Sequence, residues 1–344
     1  QLAHDAIAAA NVPGLSIAIA KDGRLIFAKG YGVADRSSGD PVTTASRFRI
    51  ASATKPLTAA AVLALVEKGR LNLSDHVFGD GAILGTAYGS TPYAANLTRI
   101  TITYLLEHTA GGWSNDNQDP MFQEPSLSAI DLISWTLTNR PLDHEPGTHY
   151  AYSNFGYCIL GRVIEQVTGK TYADAVQELI LGPSGVTAMQ IAGNTLADRA
   201  TNEVVYDGSA STAGGTDPYG INVARMDSHG GWIATPVDVL RFAERVDGFS
   251  TVADLLSPGT IARMTTPSPA NPIDRDPGYA MGWNVNSFGN WWHRGNLPGT
   301  EAFLVRAADG HDWMAVANGS GIDLESLGWK MVDAITDTPP GQPL

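Results

Sequence analysis

Apolar and polar positions along this chain follow two periods, and the period changes near both ends. Residues 3–10 are Ala-rich and read as a short helix. Residues 14–20 are a run of small and branched apolar side chains, and residues 25–28 are a second run. Lys21-Asp22-Gly23-Arg24 separates them, and Asp-Gly tolerates the positive φ angles of a tight turn. The chain is therefore predicted to open with a helix and an antiparallel hairpin. Helical spacing then takes over. Leu57, Ala60, Ala61, Ala64 and Leu65 share the period of a helix that Gly69 can close. A short helix is expected over 102–109, ending at Gly111-Gly112, and another over 127–137. Leu160, Val163, Ile164 and Val167 keep the i, i+3, i+4, i+7 pattern up to Gly169. Thr235 is placed to cap a helix from Pro236 to Val246.

Between these helices, residues 193–231 are polar and Gly-rich, with Gly208, Gly214, Gly215 and Gly220, and predict a long loop region. From Gly278 the pattern returns to strands, over 279–285, 290–293, 302–306 and 313–317, with Asp309-Gly310 in the last turn. A final helix covers about 323–334. Sheet pieces at both ends with helices between them predict an α/β (α+β) chain: an antiparallel sheet flanked by helices, with a mainly helical region inserted. The expected division is a sheet domain from residues 1–50 and 275–344, and a helical region over 51–274. A site would lie in the cleft between the two.

Composition narrows the partners more than the fold. Of 344 residues, 43% are hydrophobic and 17% charged, an ordinary globular balance. The net charge of −13 argues against nucleic acid and anionic membrane surfaces as partners. One cysteine, Cys158, excludes an internal disulfide and reads as a small buried hydrophobe. No apolar run is long enough to span a bilayer. Gln1 to His4 show neither an initiator Met nor a signal-peptide pattern, so a soluble chain is expected, cytoplasmic or exported in mature form. Oligomeric state stays open.

The candidate chemistry begins at Ile50-Ala51-Ser52-Ala53-Thr54-Lys55, where the apolar helix starts. Positions i and i+3 share a helix face, so Lys55 would lie beside the Ser52 hydroxyl. A serine becomes nucleophilic when a neighbouring base takes its proton, and burial lowers a lysine pKa enough for it to serve. The same four residues read equally as a capping serine and a solvated lysine. Other constellations fail on geometry. Gly169-Lys170-Thr171 lacks the first glycine of a phosphate loop, since that position is Ile164. His144 and His149 are one residue too far apart for a zinc-protease helix and flank Pro146-Gly147. Gly14-Leu15-Ser16-Ile17-Ala18 lacks the last glycine of a nucleophile elbow, so Ser16 reads as a strand residue. His229 is a loop residue that either approaches a site or packs in a loop, and His108 reads as structural.

Company for Ser52 and Lys55 appears further on. Glu145-Pro146-Gly147 precedes Tyr152-Ser153-Asn154, a Tyr-x-Asn triplet at a loop-to-helix junction, and His293-Arg294-Gly295-Asn296 ends a strand. Phe48 to Lys55 resembles the nucleophile block of the serine β-lactamase and penicillin-binding protein superfamily. Leu105 to Gly112 resembles its L-L-x-H-T-S-G block. Together these resemble that superfamily over residues 10 to about 335. Tyr-x-Asn with His-x-Gly is similar to the class C-like branch, which includes D-Ala-D-Ala carboxypeptidases, D-aminopeptidases and family VIII carboxylesterases.

The resemblance implies a β-lactamase/transpeptidase-like fold, no cofactor and no metal. It implies Ser52 as the nucleophile, Lys55 and Tyr152 as the proton-handling pair, and an oxyanion hole from the backbone N–H groups of Ser52 and Asn296. A cation beside a phenol lowers its pKa, so Tyr152 is expected to act as base and then acid. His293 is expected near Tyr152 and the leaving group, with Asn154 bonding Lys55 or substrate. Gly295 would let substrate approach the strand backbone. Arg294 stands where the family has a small hydroxyl residue that helps hold a substrate carboxylate. It would either bind a carboxylate itself or point away on its strand. Trp113 is a candidate wall of an apolar acyl pocket or plain core. The expectation is a serine hydrolase acting on a small ester, amide or short peptide, leaning to carboxylesterase or small-peptide hydrolase. The alternatives are a D-stereospecific peptidase, a D-Ala-D-Ala carboxypeptidase, a transacylase, and a catalytically quiet penicillin-binding sensor or scaffold.

Overall fold

The computed structural model describes residues 1–116, 118–209, 217–275, 277–335 and 342–343. Helix α1 spans Leu2–Ala10 and closes on Asn11, whose φ of 52° is left-handed. Strands β1, Gly14–Lys21, and β2, Arg24–Gly32, form the expected hairpin. After β3, Phe48–Arg49, a 3-10 turn over Ala51–Thr54 runs directly into α2, Lys55–Glu67. Every residue of α2 from Lys55 to Leu65 is buried, so this helix is enclosed on all sides rather than amphipathic. Truncating its buried Leu57 to alanine costs about 2–5 kcal/mol on the usual cavity scale. Gly69, at φ 65°, closes it, and the Arg70 N–H returns to the Leu65 carbonyl.

The inserted stretch continues with α3, Ile102–Leu106, α4, Ala129–Asn139, α5, Asn154–Thr168, and α6, Tyr172–Val176. Strand β4, Gln190–Ile191, and β5, Trp232–Ala234, join β3 in a three-stranded antiparallel sheet ordered β3-β5-β4. That small sheet is absent from the sequence pattern, because two-residue strands leave no period to read. Helix α7, Pro236–Ala243, is started by a Thr235–Asp238 capping box and ends three residues sooner than its periodicity suggests. Helix α8, Pro258–Met264, follows. The polar region around 193–231 is mainly loop, as expected; Gly214 and Gly215 lie outside the described residues.

The stretch 279–285 is two short strands, β6, Gly278–Tyr279, and β7, Asn284–Val285, rather than one. Gly282 turns the chain between them at φ 84° and seats the tip on α2; a Cβ there would lie 2.8 Å from Ala59 Cβ. Then come β8, Trp291–Leu297, β9, Thr300–Arg306, β10, His311–Ala317, α9, Leu324–Ile335, and β11, Gln342–Pro343. The main sheet is ordered β11-β2-β1-β10-β9-β8-β7-β6, antiparallel throughout.

Alternate residues send the central strands into two cores. Leu15, Ile17, Ile19, Phe303, Val305, Trp313 and Ala315 face a core shared with Leu327, Met331 and Val332 of α9. Ala18, Ala20, Leu304, Met314 and Val316 face the larger core that holds α2 and α5. The fold is thus a mixed α/β structure with helices on both faces of an antiparallel sheet. Among the described residues no helix is long and apolar enough to cross a membrane.

Candidate active site

Ser52 lies in the 3-10 turn ahead of α2, and Lys55 is the first residue of that helix. Ala51 has φ 47°, a left-handed conformation that costs a residue with a side chain about 1 kcal/mol. Strand β8 holds this turn from the sheet side. Gly295 comes so close that a Cβ would lie 2.2 Å from the Ile50 carbonyl oxygen and 3.1 Å from Ala51 Cβ. The first demand for glycine here is therefore the Ser52 turn itself, a protein contact, rather than an approaching substrate.

Lys55 is fully buried while Ser52 is partly exposed. The lysine Nζ lies 2.9 Å from Ser52 Oγ, 2.7 Å from Asn154 Oδ1 and 3.1 Å from the His229 carbonyl oxygen. The last two atoms can only accept. Burial pushes the Lys55 pKa well below its ordinary 10.5, and the Asp119 carboxylate opposes that only in part. A neutral amine has two hydrogens. Directed at the two obligate acceptors, they leave its lone pair facing Ser52 Oγ.

Asn154 is free to do this because Ser153 caps α5, its Oγ accepting the Gly156 N–H at 3.1 Å. The Asn154 amide is fixed from behind: Nδ2 donates to Asp119 Oδ2 at 2.7 Å, and its backbone N–H donates to Asn115 Oδ1 at 2.9 Å. Asn115 in turn donates its N–H to the Tyr152 carbonyl at 2.9 Å.

Tyr152 hydrogen-bonds Ser52, and its ring centre is 4.8 Å from Lys55 Nζ. The expected lowering of its pKa does not occur. Burial raises the phenol well above 10, the Ser52 hydrogen bond opposing it. Desolvation disfavours both charged forms, phenolate and ammonium, and it outweighs their mutual attraction. Around Tyr152 stands an aromatic wall: His108 at 4.3 Å between ring centres, Tyr279 at 6.0 Å and His293 at 6.2 Å.

His293 is buried with both ring nitrogens engaged. Nδ1 is 2.8 Å from the Arg294 carbonyl, an acceptor, so Nδ1 carries the hydrogen. Nε2 then accepts from the Tyr279 hydroxyl at 3.1 Å. Burial, and next the nearby Lys55, push its pKa down to about 3, which keeps the imidazole neutral. His108 accepts the Ser153 N–H at Nδ1, 3.1 Å, and burial drives its pKa well down too.

The remaining sequence candidates divide. Arg294 points away from the site. On β8 it alternates with buried His293 and Gly295, is exposed, and lies 4.0 Å from Glu301 Oε2 in a cavity with Phe303 and Ile322. Asn296 sits on β8 beside the Ser52 turn, with its side-chain Nδ2 toward Glu301 Oε1 at 3.4 Å. Trp113 is core: it is buried, meets Phe155 edge-on at 5.0 Å and donates its indole N–H to the Arg140 carbonyl at 3.0 Å. The His144 and His149 rings lie 4.1 Å apart at a tilt of 33°, and among the described residues they belong to no group of three possible metal ligands.

Sequence reasoning missed Asp119, Asn115 and Tyr279. Asp119, just before Pro120, reads as a turn or cap residue, which it also is, since its Oδ1 accepts the Met121 N–H at 2.9 Å. Its second role depends on contact across 35 residues and leaves no local signal.

The Beta-lactamase family model matches residues 1–323. Over 177 residues the chain is 30% identical to Protein flp of Staphylococcus aureus (strain NCTC 8325 / PS 47), a match covering 52% of this chain and 34% of that protein. The chain thus spans about a third of the length of that curated relative. Among solved structures, it is similar to the D-amino acid amidase from Ochrobactrum anthropi SV3 complexed with L-phenylalanine amide. That TM-score is 0.78 at 22% identity, over 98% of this chain and 97% of the other. It is also similar to EstCE1, described as a hydrolase with promiscuous acyltransferase activity, with a TM-score of 0.74 and 22% identity over 97% and 96%. At such identities these two likenesses carry the fold alone.

Proposed function

Because this chain belongs to the β-lactamase family of serine hydrolases, we propose that Ser52 cleaves a small ester or amide through an acyl-enzyme, with Lys55 as its base. One observation carries this reading: the Lys55 amine is 2.9 Å from Ser52 Oγ, while Asn154 Oδ1 and the His229 carbonyl hold its other directions. Ser52 Oγ bonds to the substrate carbonyl carbon as its proton passes to the neutral Lys55. The carbonyl electron pair moves to oxygen, which the backbone N–H groups of Ser52 and Asn296 receive. Each such donor is worth roughly 3 kcal/mol in the transition state. The intermediate collapses, and the departing alkoxide or amine takes the Tyr152 hydroxyl proton as Tyr152 draws one from the Lys55 ammonium. Water then attacks the acyl group, its proton going to Lys55, and Ser52 leaves with that proton restored. Tyr152 works here as a neutral phenol, in keeping with its raised pKa.

The lean towards carboxylesterase or small-peptide hydrolase has its own support. Arg294 replaces the family's carboxylate-holding hydroxyl, and its side chain lies on the opposite face of the strand. A substrate with a free C-terminal carboxylate thus loses a partner there.

Incubation with a short p-nitrophenyl ester, a D-Ala-D-Ala peptide and nitrocefin, followed by intact mass, tests the reading. Ester turnover with an adduct that disappears in Ser52→Ala is expected. Turnover of the D-peptide alone would replace the esterase lean with a D-peptidase. Stable acylation by the β-lactam nitrocefin without turnover of any of the three would make the chain a sensor. Full activity in Ser52→Ala would overturn the assignment.

A further inference from the structure

At the far end of the central strands, three acids meet in the interior. Glu244 follows α7, Asp247 comes three residues later, and Asp312 is the second residue of β10. They are 2%, 1% and 1% exposed, which leaves water almost no part in solvating them. One oxygen from each lies within 4.8 Å of the other two.

The protein's own donors satisfy them only in part: Glu244 and Asp247 hydrogen-bond each other. Asp247 Oδ1 accepts the Phe249 N–H at 2.7 Å, but its Oδ2 has no hydrogen-bond partner, and neither does either oxygen of Asp312. Arg306 faces Asp312 directly across the β9–β10 ladder. Yet its Nε donates to the Asp247 backbone carbonyl at 2.9 Å and its Nη1 to the Gly289 carbonyl at 3.2 Å. Its guanidinium is clamped between the Phe249 and Trp291 rings, 3.8 and 4.1 Å from their centres. Asp22 and Asp254 add negative charge from the hairpin turn and the loop after α7. Buried carboxylates in this state are costly unless a proton or something of opposite charge joins them.

We propose that Glu244, Asp247 and Asp312 form a binding site for one calcium ion that fastens the end of α7 to β10. One guanidinium faces three carboxylates, with Asp22 and Asp254 nearby, so the cluster is short of positive charge and a divalent cation would supply it. The donors are all oxygen, which selects a hard cation over zinc or copper. Two Ca–O bonds of about 2.4 Å span the separation of the carboxylate oxygens. The site is remote from Ser52. Thr300 and Ala317, at the other end of β9 and β10, bond near Arg49, and six strand residues cover about 20 Å. The ion therefore acts on stability and leaves the chemistry at Ser52 unchanged.

The test uses the full chain, stripped with a chelator and dialysed into metal-free buffer. Calcium chloride is then titrated by calorimetry, and thermal unfolding is followed in parallel. One bound equivalent and a rise in Tm of several degrees at ~1 mM calcium are expected, since a ligand that binds only the folded state stabilises it. Asp312→Asn should abolish both responses, and Glu244→Gln gives the same readout should the first variant not fold. No binding and no Tm change in the wild type at ~10 mM would overturn the site in favour of acids that share protons. Binding of magnesium or manganese but not calcium would overturn the choice of ion.

Discussion

Lys55 at one end of the central strands and the Glu244–Asp247–Asp312 group at the other are both buried and both ionisable, but their surroundings differ. Lys55 has one nitrogen and three oxygen neighbours at 2.7–3.1 Å, so every direction it can use is assigned within the chain. The acids present more oxygens than the chain supplies donors. The first cluster is complete before any substrate arrives, and its residual property is a lowered lysine pKa, the state a base needs. The second leaves carboxylate oxygens unpaired, and those are the atoms the proposed ion would take. Burial alone thus says little about the role of a charged group; whether its hydrogen-bonding capacity is filled says more.

Lys55→Met is the strongest way to break the comparison. It should lower kcat by roughly 10³–10⁴-fold while circular dichroism stays native. The calcium response at the other end should be untouched. A loss under about tenfold would remove Lys55 from the chemistry.

Asp119→Asn sharpens the same point with a smaller effect. Asp119 orients Asn154 and raises the Lys55 pKa electrostatically. The variant should lose about 10–100-fold in kcat with KM nearly constant. With neutral Lys55 as the proposed base, the rate should rise with pH through the depressed lysine pKa. Losing the Asp119 charge depresses that pKa further, so the rising limb should move to lower pH. A shift to higher pH would reverse the assigned electrostatics.

Gly295→Ala probes the contact that holds the Ser52 turn. A Cβ 2.2 Å from the Ile50 carbonyl oxygen must displace backbone, at about 1–3 kcal/mol in urea unfolding together with loss of rate. Arg294→Ala, one residue away but on the other face, should change stability by under about 0.5 kcal/mol. Its kcat/KM for a neutral ester should change by less than about twofold. A large loss there would put Arg294 back at the substrate.

Long, capped elements were legible in the chain. Gly69, Gly169 and Thr235 act where their local chemistry says they should. Ser52, Lys55, Tyr152 and Asn154 do come together, because their motifs carry spacing and order that few other arrangements share. What was illegible depends on partners distant in sequence. The His229 contribution is a backbone carbonyl, which any residue offers. Asp119 and Tyr279 work through Asn154 and His293 respectively. Trp113 stands next to a site block in sequence, but its φ of 60° and its bond to the Arg140 carbonyl turn it into the core. The direction of the Tyr152 shift depends on how completely water is excluded, a quantity no short motif encodes.

The close approach of β8 to Ile50 and Ala51 has a consequence for how such a protein can diversify. The sheet and the helical layer touch, backbone against backbone, beside the Ser52 turn, with no room for an intervening side chain. A hinge at that junction would dismantle the Ser52 turn, so breathing of the two layers is a poor route for admitting bulkier molecules. Tolerance for new acyl or leaving groups must come from the peripheral segments. Selectivity and bond cleavage are then free to evolve as separate traits.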